Sequence, residues 1–95
     1  MFVFDRILRP MRELVRTSQY VMTLHAEEEM EADGLNVFDF ERCILTGHIV
    51  ERQKDRGTGE WKYVIHGETT EAAPAAVVAK LGPTGKAVVV TVFKL

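Results

Sequence analysis

One of the three histidines of this 95-residue chain stands where a short strand is expected to pass into a helix, in the run Thr23-Leu24-His25-Ala26. Imidazole changes its protonation state near neutral pH, so a histidine held at the mouth of a sheet can serve as a general acid or base. Histidine is also tolerated in the first turn of a helix, where its ring packs or forms a hydrogen bond. His25 is therefore the first candidate for chemistry, and both interpretations stay open.

The segment after His25 predicts an acidic helix that ends at Gly34. Carboxylates beside His25 repel phosphate where they face the same cleft, and they attract a basic partner. Alternatively, they form the solvent-exposed side of an amphipathic helix and favour the positive end of its dipole. The acids in question are Glu27, Glu28, Glu29, Glu31 and Asp33.

The net charge of the chain is −2, so any surface that binds nucleic acid must be local. Its single cysteine, Cys43, cannot form an internal disulfide, and neither it nor the histidines have a zinc-binding spacing. We therefore expect a cytoplasmic protein with no metal and no cofactor, in which Cys43 is a small buried side chain. The longest apolar run, 87–93, is too short to span a bilayer, and the apolar amino terminus is too short for a signal peptide.

An amphipathic helix is predicted within residues 1–18. Pro10 lies inside this stretch, so the helix either begins near Arg9, with proline in its first turn, or is kinked at Pro10. The apolar positions at helical spacing are Phe4, Ile7, Leu8, Met11, Leu14 and Val15.

The remaining elements follow from caps and from a change of period. A short strand is predicted at Tyr20–Leu24, a helix from His25, and another helix between Asn36, with Asp39 as its capping-box partner, and Gly47. From residue 48 the apolar period is two, which predicts strands in 48–53, 61–66, 76–81 and 87–93.

Together these elements predict one α+β domain, 1–95, with an amino-terminal helix (1–18) and a core (20–95). Two to three short helices are expected to pack on a four-stranded, mainly antiparallel sheet. The last strand, 87–93, is apolar on both faces, which predicts a central position covered on two sides.

A resemblance to a known family covers the chain from about Tyr20 to its end. The motifs that carry it, in order, are Thr23-Leu24-His25-Ala26, Glu29-Met30, Asp33-Gly34-Leu35, Asp39, Ile44-Leu45-Thr46-Gly47, Ile49, Asp55, Gly59, Lys62-Tyr63, Gly67 and Val90-Thr91-Val92-Phe93. In this order and spacing they resemble the domain of unknown function 4258 family. The resemblance implies a RelE-like fold related to barnase-like ribonucleases, and a bacterial toxin neutralised by an antitoxin, often a zinc-finger protein of the MqsA type.

Three positions depart from that family pattern. Many relatives have tyrosine in the final strand where this chain has Phe93, and some have arginines in the helix where it has Glu29 and Asp33. A phenolic hydroxyl can donate to a phosphate, whereas a phenyl ring cannot. Where that tyrosine is catalytic, Phe93 predicts a weak or inactive copy.

The implied ribonuclease needs a base for the 2′-hydroxyl, cations for the phosphate and an acid for the departing 5′-oxygen. The catalytic candidates are His25 and Lys62. Candidates for RNA binding on the predicted hairpin are Arg52, Lys54, Arg56 and Tyr63, with Trp61 as a second ring for stacking. Alternatively, this is a solvated hairpin whose charge is mostly cancelled by Glu51, Asp55 and Glu60.

The other histidines, His48 and His66, are expected to be hydrogen-bonded sheet residues, since a metal site with His25 requires three segments to converge. Two function hypotheses follow. The first is a toxin-like, metal-independent ribonuclease that is paired with an antitoxin protein. The second is a non-catalytic protein-interaction or regulatory module of the same fold.

Overall fold

The computed structural model describes residues 3–95, so Met1 and Phe2, at the start of the predicted helical segment, lie outside the described residues. The elements in chain order are α1 (Asp5–Arg16), β1 (Tyr20–Met22), α2 (Leu24–Ala32), α3 (Val37–Thr46), β2 (His48–Lys54), β3 (Trp61–Glu68), β4 (Pro74–Leu81) and β5 (Ala87–Lys94). None of the helices in this part of the chain is long and apolar enough to cross a bilayer.

The strands form one open, mixed sheet of five strands in the order β1-β5-β4-β3-β2, in an α+β arrangement. The strands β2 to β5 pair antiparallel in sequence order, whereas β1 pairs parallel with β5, with Tyr20 opposite Ala87. The predicted four-stranded sheet is therefore wrong by one strand. The short strand that was expected does form, but only three residues of it join the sheet. So short a run carries too little alternation to reveal its partner.

Helix α1 begins at Asp5 and continues through Pro10, so the predicted start near Arg9 is wrong. Proline lacks an N–H, which leaves the carbonyl of Arg6 without its helical partner. This loss is tolerable because Arg6 and Pro10 are both exposed. The opposite side of α1 buries Leu8, Met11 and Val15 in the core.

Side chains fix both ends of α3. The capping box is confirmed: Asn36 Oδ1 accepts the N–H of Asp39 at 3.1 Å, and Asp39 Oδ2 accepts the N–H of Asn36 at 3.0 Å. At the other end, Arg12 from α1 donates to the carbonyls of Ile44, at 3.2 Å, and Gly47, at 2.7 Å. A guanidinium at a helix carboxyl end satisfies carbonyls that have no intrahelical partner and complements the helix dipole.

Two glycines allow the last turn of α3 to lie directly against β3. A Cβ on Gly47 would be 2.5 Å from the carbonyl oxygen of His66 and 2.6 Å from that of Cys43. A Cβ on Gly67 would overlap the same Cys43 carbonyl. Neither position has room for a side chain, so the helix and the strand touch through their backbones.

The two faces of the sheet differ. One face joins the three helices in a single core through Ile49, Tyr63, Ile65, Ala75, Val77, Ala79, Ala87, Val89 and Val92. Because side chains alternate along a strand, the intervening residues point to the other face, which carries neither α1 nor α3. We call this second face the open face; it includes His48, His66, Lys62, Thr91 and Phe93.

The outer edge of β5 is covered by two elements. Its first half pairs with β1, and α2 runs along its second half. Thr23 Oγ1 donates to the carbonyl of Val90 at 3.1 Å, and Asp33 Oδ2 accepts the N–H of Lys94 at 2.8 Å. The last strand is thus internal to the sheet, as predicted. Its open-face residues are half-buried, so the predicted cover on both sides is only partial.

Replacing Gly67 with alanine is expected to lower the free energy of unfolding by about 2 to 3 kcal/mol, because the new methyl group pushes α3 away from β3. Urea unfolding monitored by circular dichroism measures this. Gly57→Ala is the control, since its Cβ would be 3.4 Å from Asp55 Oδ1, an ordinary contact in an exposed loop. That change is expected to stay within about 0.5 kcal/mol of wild type. Equal losses for both variants would contradict the proposed contact.

The carboxylate of Asp39 is expected to make the free energy of unfolding depend on pH. Asp39 accepts hydrogen bonds from the hydroxyl of Thr70, at 2.7 Å, and from the N–H of Thr70, and these two bonds lower the pKa of Asp39 most. The N–H of Asn36 and the charge of Lys94 also lower this pKa, whereas burial raises it. A lowered folded pKa means that the stabilisation is complete above the unfolded pKa, near about 4, and is lost as pH falls through the folded pKa.

The Asp39→Asn variant is therefore expected to lose about 1 to 2 kcal/mol at neutral pH, and progressively less than that below about pH 4. Urea unfolding across that range tests the expectation. Glu71→Gln, exposed in the neighbouring loop, is the control at neutral pH and should leave stability unchanged. A difference between wild type and Asp39→Asn that stays constant down to acidic pH would refute the role of the charge.

Candidate functional site

His25 is the second residue of α2 and faces solvent. The helix starts one residue before the predicted position, and Thr23 caps it by accepting the N–H of Ala26 at 3.1 Å. The His25 side chain is 65% exposed, and its Nε2 lies 3.2 Å from Oε1 of Glu29, one turn further along α2. The imidazole thus lies close to a carboxylate of the same helix.

A shallow cleft lies between α2 and the end of β5, and Glu29 connects it to His25. Its volume is about 510 Å³, and it is lined by Glu29, Ala32, Asp33, Thr91 and Phe93. Two of these five residues are acids and none is basic. We call it the α2–β5 cleft. Its helix side therefore carries negative charge, and its strand side presents the phenyl ring of Phe93.

The predicted RNA-binding residues Arg52 and Lys54 surround an exposed tryptophan on the β2–β3 hairpin. The guanidinium carbon of Arg52 is 4.0 Å from the centre of the Trp61 ring, and Lys54 Nζ is 5.5 Å from it. Trp61 remains 40% exposed. Tyr63, by contrast, is buried and packs edge-on against Phe4 at 5.8 Å between ring centres. Of the two rings predicted for stacking, Trp61 is therefore exposed and Tyr63 is buried.

Two of the three acids expected to cancel the charge of this hairpin lie close to a lysine of the next strand. Lys80 from β4 lies 3.2 Å from Glu60 and 3.9 Å from Asp55. The N–H groups of Gly57 and Thr58 bind Asp55 and, together with nearby lysines, hold its pKa below the ordinary value. Within residues 3–95, none of the four predicted hairpin cations, Arg52, Lys54, Arg56 and Lys62, forms an ion pair.

The structure does not bring the predicted site residues together. His25 is on α2 at the β5 side of the sheet, and Arg52 is on the opposite side, three strands away from β5. Arg56 is exposed in the β2–β3 loop. Lys62 points to the open face, whereas Arg52 is opposite Tyr63 on the helix side. The predicted catalytic pair is thus divided between α2, beside β5, and β3, which is separated from β5 by β4.

The structure instead pairs two histidines that the sequence analysis treated as ordinary sheet residues. His48 and His66 are directly opposite each other in β2 and β3 and share the open face. His66 is exposed and His48 half-buried. Lys62 is on the same face, about 13 Å along β3 from His66. The one sequence signal for this pairing is that each histidine adjoins an isoleucine of a predicted strand; the structure shows that Ile49 and Ile65 are buried and pair with each other.

Neither the histidines nor Cys43 form a metal cluster: no group of three or more suitable side chains occurs among the residues described. Cys43 is fully buried, and its Sγ lies 3.4 Å from the carbonyl oxygen of Ala75. Burial raises the pKa of this thiol to about 11. A thiol in this state is a packing group and a poor nucleophile.

The family model described as Domain of unknown function (DUF4258) matches residues 22–94. The chain belongs to this family. The match confirms the family inferred from the sequence motifs and excludes α1, which precedes it. No curated protein matches the chain, and no solved structure does.

The three departures from the family pattern meet in one place. Glu29 and Asp33 belong to α2 and its carboxyl end, and Phe93 belongs to β5, the last strand, yet all three line the α2–β5 cleft. The cleft therefore holds two carboxylates and a phenyl ring where the resemblance implies cations and a phenol in relatives. Only the structure shows this convergence, because the side of α2 that faces β5 depends on how Thr23 and Asp33 attach the helix to the strand.

The cation cluster on Trp61 has a measurable consequence, because Trp61 is the one tryptophan of the chain. Replacing Arg52 with alanine is expected to uncover the ring and raise the acrylamide quenching of Trp61 fluorescence. The same change should cost about 0.5 to 1 kcal/mol of stability, as exposed cation–π contacts do. Arg56→Ala, in the exposed loop, is expected to change neither quantity. Unchanged quenching in Arg52→Ala would show that the guanidinium does not cover the ring in solution.

Proposed function

We propose that this family member acts by binding a protein partner and does not cleave RNA at the α2–β5 cleft. The observation that supports the proposal is the convergence of Glu29, Asp33 and Phe93 on that cleft, next to His25. In this proposal the chain has the RelE-like fold and the toxin-type ancestry implied by the family resemblance, and it works in the cytoplasm.

The physical reason is the charge that RNA cleavage develops. A phosphodiester gains negative charge on its oxygens in the transition state and needs donors or cations there. Two carboxylates in the same cleft raise the energy of that state by a few kcal/mol each at contact distance. The phenyl ring of Phe93 offers no proton. His25, 3.2 Å from Glu29, is thereby left without a phosphate on which to act.

The partner in this proposal is an antitoxin-type protein, which the resemblance implies is often a zinc-finger protein. The acids of α2 favour a basic surface on that partner, because opposite charges steer association and fix its register. Binding of this kind needs no catalytic group in the chain. It corresponds to the non-catalytic, protein-interaction hypothesis of the sequence analysis.

A second candidate function is a ribonuclease that uses the open face. Two features favour it: His48 lies opposite His66, and Lys62 is on the same face. A histidine pair can supply the base and the acid of metal-independent RNA cleavage, and a lysine can hold the phosphate. Arg52 and Lys54, which lie with Trp61 on the helix side of the hairpin, take no part in this candidate function.

A cleavage assay separates these functions. End-labelled RNA is incubated with the wild-type protein, His25→Gln and His66→Gln in the presence of EDTA. The proposal expects no cleavage above the buffer background for any of them. Cleavage by the wild type that falls at least about 100-fold in His25→Gln would overturn the proposal. An equal fall in His66→Gln with His25→Gln unaffected would also overturn it, in favour of the open face.

A gain of binding tests the cleft directly. The double variant Glu29→Arg and Phe93→Tyr restores a cation and a phenol and is expected to bind RNA at least about tenfold more tightly than the wild type at low salt. Fluorescence anisotropy measures the affinity. The control, Glu28→Arg with Phe93 retained, adds the same charge on α2 outside the cleft. If both variants bind RNA equally, the effect comes from net charge, and the assignment of the cleft is wrong.

A further inference from the structure

A second groove lies on the other side of α2, between this helix, β1 and the start of α3. Its volume is about 410 Å³, and its apolar part is formed by Met22, Met30, Leu35 and Val37. Tyr20 closes the groove on the β1 side, with its hydroxyl donating to Glu41 at 3.3 Å. This volume lies within the usual range of ligand sites, about 300 to 1,000 Å³. We call it the β1–α2 groove.

The groove has an acidic rim. Glu27 and Glu31 line it, are exposed, and lie one turn apart on α2. In residues 3–95 neither of them forms an ion pair, and no lysine or arginine lines the groove. The carboxylate of Glu41, at Tyr20, adds a further negative charge nearby. Burial, and then the charge of Glu41, raise the pKa of the Tyr20 hydroxyl, so Tyr20 stays neutral.

The two acids on this rim differ in their effect on the helix: the dipole favours Glu27, in the first turn of α2, but not Glu31. Glu27 and Glu31 are like charges at i and i+4, which destabilises a helix by a few tenths of a kcal/mol. Glu31 also stands near the carboxyl end of α2, where the dipole disfavours anions, and no basic residue occurs in that last turn. The helix would be more stable with a lysine at position 31. A binding role explains why the position carries an acid.

We infer that the β1–α2 groove binds a peptide segment of a partner protein in which one or two large apolar side chains are flanked by lysine or arginine. The inference rests on the proposed protein-binding function and names its surface and the chemistry of its partner. Glu27 and Glu31 are separated by about 6 Å along the helix axis. Two basic side chains one helical turn apart, or two residues apart in a strand, have nearly this spacing.

Methionine methyl groups provide the test. The chain is labelled with ¹³C at its methionine methyls and titrated with a synthetic amphipathic peptide of lysine and leucine, with the leucines on one helical face. The signals of Met22 and Met30, which line the groove, are expected to shift with saturation. The signal of Met11, fully buried in α1, is the internal control and should not move. Shifts absent from Met22 and Met30 would overturn the inference.

Charge-reversal variants test the rim. Glu27→Lys and Glu31→Lys are each expected to weaken binding of the lysine–leucine peptide about five- to tenfold, whereas Glu28→Lys, exposed on α2 but outside the groove, should change it less than about twofold. A counterpart peptide with glutamate in place of lysine should prefer the reversed variants. Equal weakening by Glu28→Lys would mean that the peptide responds to net charge alone, which contradicts the inference.

The outcomes separate this inference from the proposed function. Peptide binding at the groove together with RNA cleavage dependent on His25 would leave the inference standing and overturn the proposed function. Absence of peptide binding together with absence of RNA cleavage would do the reverse. Self-association of the chain that Glu31→Lys abolishes would assign the groove to a second copy and overturn the partner inferred here; sedimentation velocity of the unliganded protein detects it.

Discussion

The backbone contact between the end of α3 and β3 is the constraint on which the rest of the fold depends. Because Gly47 and Gly67 have no side chains, the last turn of α3, which includes Cys43, lies directly against β3. Arg12 donates to carbonyls at this end of α3 and so connects α1 to it. Because β2 begins at His48, immediately after Gly47, this contact also fixes where β2 starts along β3. The pairing of His48 with His66 therefore depends on glycine at positions 47 and 67, and so does the register of the hairpin.

Helix α2 has a structural task that needs few of its residues. Thr23 at one end and Asp33 at the other attach it to the backbone of β5, and Met30 joins the core. These contacts protect the edge of β5 beyond the reach of the short β1, which prevents pairing with another chain there. The remaining acids of α2, Glu27, Glu28, Glu29 and Glu31, make none of these contacts with β5.

The sequence predicted the helices and strands better than it predicted which of them lie next to each other in the fold. Helical spacing, the Asn36 cap and the change of period at His48 placed the later helices and the four longer strands, because each of these signals is local. The parallel strand β1 was not assigned to the sheet, since only long-range contacts define its partner. For the site, the sequence supplied candidate residue types, which stay predictions. The relative positions of these candidates could not be predicted. Lys62 and Arg52 point to opposite faces of one hairpin, and the face to which a residue points depends on the register of its strand.

The two sides of α2 are electrostatically coupled even though they face different clefts. A helix is about 10 Å across with its side chains, which is close to the Debye length of about 8 Å at physiological ionic strength. Cations at positions 29 and 33 would therefore weaken the negative potential at Glu27 and Glu31 on the other side. Acids at all four positions reinforce one another instead. The negative charge of the α2–β5 cleft and the strength of the acidic rim on the β1–α2 groove therefore have the same physical origin.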